Sequence, residues 1–126
     1  MLSGQTASGD INPSRFVAKS GAFLVAQAGA GVIALGISHE GSKAVPLPGA
    51  SPLAAQAGDP IAVYGDTESC LLEAGAAFAA GAYLKPDAQG RGITAATGER
   101  FSAVAEQAAG AAGVKSIVLV RLGVVP

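Results

Sequence analysis

Between His39 and Pro60 the chain reads HEGSKAVPLPGASPLAAQAGDP, and prolines at 46, 48, 52 and 60 interrupt it. Proline fixes φ and removes a backbone donor, so this spacing excludes both a long helix and a central strand. The stretch is a long connector. Connectors of this length are commonly either functional or disordered, and the functional reading makes it a candidate contact surface.

Regular structure must therefore come from the short runs on either side. RFVAKS (15–20) and AFLVAQ (22–27) alternate or run apolar around Ser20-Gly21 and read as two short strands with a turn. GVIALGIS (31–38) sets Ile33, Leu35 and Ile37 on one face and Val32, Ala34 and Gly36 on the other, a small face able to lie against another backbone. Beyond the connector, IAVYG and SCLLEA read as a hairpin across Gly65-Asp66-Thr67-Glu68. GAAFAAG (75–81) is the place where alanine propensity favours a helical turn. FSAVAEQAAGAAG reads either as an alanine-rich helix over Ser102–Ala109 or as a strand. The alternation of Ala103, Ala105 and Gln107 with Val104, Glu106 and Ala108 favours the strand. SIVLVRLGVV is a strand apolar on both faces, hence central in a sheet or covered by a neighbouring subunit. Residues 1–14, with Gly4, Gly9, Asp10, Asn12 and Pro13, read as a flexible N-terminal arm. The expected fold is all-β: a small antiparallel β-barrel or sandwich over 15–126, with an extended N-terminal arm and a long Pro-rich loop.

Such a fold needs a core, and here composition matters. The 126 residues suit one domain, but 28 are alanine and 18 glycine, against 27 Val, Ile and Leu together. Burial energy scales with apolar area, so the core is thin and partner surfaces are expected to supply part of the stability. A formal charge of −1 without a run of Lys or Arg gives no electrostatic footprint for nucleic acid. The amino terminus lacks the positive and apolar regions of a secretory signal. Apolar stretches such as AGAGVIALGI fall short of the roughly 20 residues of a spanning helix. The expectation is a soluble protein made in the cytoplasm, binding neither nucleic acid nor membrane.

The stretch that most resembles a chemical motif is AAGAYLKPDAQGRGI (79–93), with two glycines beside Lys85 and Arg91. A phosphate loop needs glycines ending in Gly-Lys-Ser/Thr at a helix start, so that N–H groups and the helix dipole converge on the anion. DAQGRGI has neither that ending nor a following helix, whereas Pro86-Asp87 and Gly90 suffice to make a turn. GAGVIALG likewise lacks the third glycine of a dinucleotide fingerprint. His39 beside Glu40 is the one histidine, at the edge of the connector, and reads as solvated rather than catalytic. It lies far in sequence from Cys70, so no zinc ligand set forms. Cys70, alone and next to Leu71 and Leu72, reads as a buried packing residue unable to form an internal disulfide. Asp59, Asp66, Glu68 and Glu73 surround the expected hairpin and read as turn charges rather than a glycosidase pair. With no Trp and only Tyr64 and Tyr83 to stack on sugars, carbohydrate binding is poorly supported. No catalytic, cofactor-binding or metal-ligating residue is assigned, no cofactor is implied, and the chain reads as a non-enzyme.

The order of GVIALGISHEG, PLAAQAGDPIAVYGD, CLLEAGAAFAAGAYLKPDAQGRGITAA and AVAEQAAGAAG followed by SIVLVRL resembles the small capsid cement or decoration proteins of tailed phages and prophages. The similar stretches cover most of 15–123. This resemblance implies a structural virion protein that binds the major capsid protein on the outside of the shell and stabilises it, often as a homotrimer. Its place would be the outer capsid surface after synthesis in the host cytoplasm. The arm is then expected to order across neighbouring subunits, and residues 1–16, with Ile11, Pro13, Arg15 and Phe16 as anchors, to touch the shell or an adjacent protomer; deleting residues 2–12 is expected to weaken attachment while sparing the fold. The alternative is a tail- or fibre-associated structural or glycan-binding module.

Overall fold

In a computed structural model, residues 2, 4–40 and 53–126 are described. These contain ten strands and no helix: β1 (Thr6–Ala7), β2 (Phe16–Gly21), β3 (Leu24–Gln27), β4 (Gly36–Ser38), β5 (Val63–Tyr64), β6 (Ser69–Glu73), β7 (Tyr83–Pro86), β8 (Gly92–Thr94), β9 (Arg100–Ala105) and β10 (Lys115–Val124). Two five-stranded sheets result, ordered β1-β3-β2-β4-β5 and β6-β10-β9-β7-β8. Every strand pairing is antiparallel except β1 with β3. The second sheet curls toward closure, because Ala74 at the end of β6 bridges Gly92 at the start of β8. The expected all-β sandwich or barrel is what the chain forms.

Alternation places the core. Along β2, Phe16 and Ala18 face the second sheet and join Ile37, Leu72, Leu84 and Val118 in the main apolar cluster. Val17, on the opposite face, joins Ala7, Ile11, Val25, Ile61 and Val63 in a second cluster. The first sheet is thus covered on both sides, and its outer cover is made of the segments 4–14 and 53–63. Gly36 carries the close approach expected of the small face, since a β-carbon there would fall on the Tyr64 carbonyl oxygen. β10 lies between β6 and β9 and is central in its sheet, but only one face is buried: Val118 and Val120 are fully covered, whereas Ile117 and Leu122 stay exposed.

Several local expectations are corrected. GAAFAAG forms no helical turn: Phe78 is buried in the main cluster and exchanges hydrogen bonds of 3.0 and 2.9 Å with Ala109, and burying that ring outweighs alanine propensity. IAVYG and SCLLEA do share a tight turn, with Glu68 N–H donating to the Gly65 carbonyl at 3.2 Å. They are no hairpin, however, because β5 pairs with β4 in the first sheet and β6 with β10 in the second. The turn is the crossing between sheets. GVIALGIS supplies only the short β4, and Val32 and Ile33 stay exposed. The β2–β3 turn sits at Ala22-Phe23 rather than Ser20-Gly21. β9 confirms the strand reading as far as Ala105, after which the chain bends. Most of the Pro-rich connector, 41–52, lies outside the described residues.

The N-terminal segment is extended, but it lies on the chain's own body rather than reaching away from it. Ala7 N–H donates to the Asp59 carbonyl at 2.9 Å, Ile11 N–H to Ala55 at 2.9 Å, and Thr6 N–H to Phe23 at 2.8 Å.

Candidate interaction surface

The four residues expected to touch a shell or neighbour occupy other roles. Ile11 and Phe16 are fully buried, one in each cluster, so neither has surface to offer a partner in this fold. Pro13 is half-buried. Arg15 is half-buried and committed internally: its guanidinium meets Glu73 at 3.0 Å and donates to the Gln89 carbonyl at 2.9 Å. Arg15 and Phe16 thus join the two sheets. The anchor role of Ile11 and Phe16 is therefore corrected by their burial.

The Pro-Asp-Ala-Gln-Gly-Arg-Gly loop is a turn with a structural task. Asp87 Oδ1 accepts the Gln89 and Arg91 N–H groups, each at 2.8 Å, and Asp87 Oδ2 holds Arg91 Nε at 3.2 Å. Lys85 is held by Glu99 at 2.7 Å, and that ion pair keeps the Glu99 carboxyl below its usual range. The two cations are thus turned to separate internal partners. Gly90 has φ of 75°, its carbonyl accepts Phe16 N–H at 2.7 Å, and a β-carbon there would stand 3.0 Å from the Phe16 carbonyl oxygen. The loop fastens one sheet to the other. Gly90→Ala is expected to cost about 2–3 kcal/mol, combining left-handed backbone strain with displaced sheet contact. Gly98 also has positive φ, 85°, but open space around it, so Gly98→Ala is the control. It should lower the urea midpoint by less than half as much; equal losses would remove the role of the close approach.

The chemical candidates do not converge. Among the described residues no group of three or more His, Cys, Asp and Glu is placed to hold a metal ion. His39 stacks on Tyr64 with ring centroids 6.1 Å apart, and Tyr64 donates its hydroxyl proton to Glu40 at 3.2 Å. Burial and that carboxylate raise the Tyr64 phenol. Asp59 caps Gln56 N–H at 2.9 Å, Glu68 accepts Gly65 N–H at 2.8 Å, and Glu73 is paired with Arg15. The carboxylates serve separate local bonds.

Cys70 packs in the main cluster, and burial, then the nearby Glu40 and Glu68 charges, push its thiol up to about 12. Below about 9, the unfolded value, both states keep the proton and Cys70 adds no pH dependence. Between about 9 and about 12 the unfolded chain loses its proton first, so stability falls as pH rises. The expected loss approaches ~1.4 kcal/mol per pH unit at most. Urea titrations at several pH values above 9 should show a steeper decline for the native chain than for Cys70→Ala; parallel curves would refute it.

What remains is surface. Val32, Ile33, Leu122 and Val124 are large apolar side chains left 43%, 58%, 46% and 57% exposed. They line a groove of three adjoining hollows, with volumes of about 260, 290 and 310 Å³. The first two share Ile33, Arg100 and Ser102, and the last two share Phe101 and Val124. A register shift in β10 between Val120 and Gly123 helps form it, bringing Gly123 opposite Phe101, whose ring packs on Tyr83 at 4.6 Å between centroids. Arg100 and Arg121 stand at its rim. Phe23 sits at the β2–β3 turn with φ of 56° and 66% exposure, with Lys19 Nζ 5.9 Å from the ring centroid. A bulky residue in this backbone region is uncommon, and an exposed one has no packing reason to be there. Sequence reasoning missed Phe23, Ile33, Leu122 and Val124 because each sits in an apolar run that reads as core; exposure is a property of the fold.

Fold and surface together define an all-β sandwich module with an arginine-rimmed apolar groove. No protein-family model and no curated protein matches the sequence. Among solved structures the fold is similar to the head fiber gp8.5 N base of bacteriophage phi29. The TM-score is 0.56 at 16% identity, over 92% of this chain and 89% of that one. At that identity the likeness is one of architecture.

Proposed function

We propose that this chain is a structural protein of a phage head that seats on the outside of the capsid shell, binds the major capsid protein and stabilises the shell as a homotrimer. The observation that supports this most is the likeness of fold, along 92% of the chain, to the base of a phage head fiber. The exposed groove and the Phe23 turn agree with it, as apolar surfaces that no other described residue covers. A protein that binds only the assembled shell stabilises it by mass action, and three linked copies multiply weak contacts. This role needs no reactive centre, cofactor, nucleic acid or membrane.

Particles purified from the parent phage and labelled with antibody should carry the protein on heads, at fixed copy number. Recombinant protein should cosediment with shells lacking it. Its absence from purified particles overturns the proposal. A second reading, a module attached to a fibre or tail, is favoured by the neighbour being a fibre base; label on tails or fibres alone would select it.

A further inference from the structure

Resting on the reading of the groove as a contact face, we propose that its occupant is an extended segment of the partner protein in which acidic side chains alternate with apolar ones. The floor supplies the apolar half through Ile33, Phe101, Leu122 and Val124. Charge supplies the other half. Lys85 and Glu99 neutralise each other at 2.7 Å, whereas Arg100 and Arg121 have no ion pair among the described residues. Counting the lining side chains, three cations against one carboxylate leave an excess of two positive charges on this groove, in a chain whose formal charge is −1. Arginines facing an apolar floor favour carboxylates, which they can engage bidentately.

The backbone argues that the occupant is extended. β6 begins at Ser69, opposite Leu119, so no described residue is in register with Arg121–Val124 on that side of β10. Four residues of open edge, about 13 Å at the usual strand rise, can accept an added strand that points alternate side chains toward the groove. A second copy of this chain fits less well. Among the described residues, the edge strands β1, β5, β6 and β8 contain one carboxylate, Glu73, and Arg15 already holds it.

Two capped octapeptides test this, one alternating valine with aspartate and one alternating valine with lysine, titrated into the full chain at low salt and followed by calorimetry and amide NMR. The aspartate peptide should bind at least tenfold tighter, shift the amides of 121–124, and weaken as salt rises. Arg100→Ala with Arg121→Ala should cut its affinity about tenfold, and Leu122→Ser with Val124→Ser at least as much. All four side chains are exposed or at the groove rim, so these variants should keep the native urea midpoint. Equal affinities for the two peptides, no binding of either, or indifference to the arginine substitutions overturns the inference. Self-association abolished by Leu122→Ser, without peptide binding, would make a second copy the occupant and overturn it too. Shell cosedimentation that survives the double arginine change rejects this occupant while leaving the head reading intact. Peptide binding by a protein absent from heads does the reverse.

Discussion

A chain lacking residues 2–12 is expected to lose its cooperative unfolding transition. Ile11 is fully buried beside Val17, Val25 and Val63, and its segment forms, with 53–63, the cover that keeps those three from water. Losing the burial of four such side chains, at about 1.5–3 kcal/mol each, removes roughly 6 kcal/mol or more. The backbone bonds of Leu2, Thr6, Ala7 and Ile11 to Val63, Phe23, Asp59 and Ala55 go with it. Single domains are stable by only about 5–15 kcal/mol, so the deficit is comparable with the whole. Circular dichroism against urea should show a broad, early transition. A truncated protein with the full-length midpoint would show that the cover is dispensable. The sequence reading expected this truncation to spare the fold; the second cluster reverses that. Any loss of shell binding after truncation must therefore be read against unfolding, and surface substitutions at Phe23 or Leu122 are the cleaner probes of attachment.

Phe16→Ala is expected to cost about 3–5 kcal/mol, the range for emptying a buried aromatic site. Phe16 is the largest fully buried side chain and packs where both sheets meet. Its N–H is bonded to Gly90 at 2.7 Å, so the position also ties β2 to the β7–β8 loop. The surrounding cluster is rich in alanine, with Ala18, Ala28, Ala34 and Ala103 among its members, and short side chains cannot swing in to fill the void. Calorimetry should place the melting temperature roughly 10–20 °C lower, and Phe16→Leu should recover more than half of the loss. A shift of a degree or two would mean that the ring is not part of the main core.

Both predictions concern residues whose apolar character is plain in the sequence and whose role is not. Phe16 and Ile11 sit beside glycines, a proline and polar side chains, a context that suits an arm. Only when 53–63 folds over the first sheet does Ile11 become interior, and only when the second sheet packs against β2 does Phe16. The same holds in reverse for Val32, Ile33 and Leu122, which read as core because they lie in apolar runs and are left outside by the way the sheets end.

What the amino-acid sequence determined alone was local: where chain direction changes, because proline and glycine restrict or free single φ angles, and where strands run, because alternation and β-branched side chains are properties of adjacent residues. The Pro86–Gly90 turn, a strand along SIVLVRLGVV and a strand through 101–105 follow from that. Tertiary structure alone decided which sheet each strand joined, as Gly65–Glu68 shows by making the turn of a hairpin while sending β5 and β6 apart. It also decided which apolar side chains were covered, since cover comes from segments distant in sequence, and burial of Phe78 could overrule the helical preference of its own neighbours.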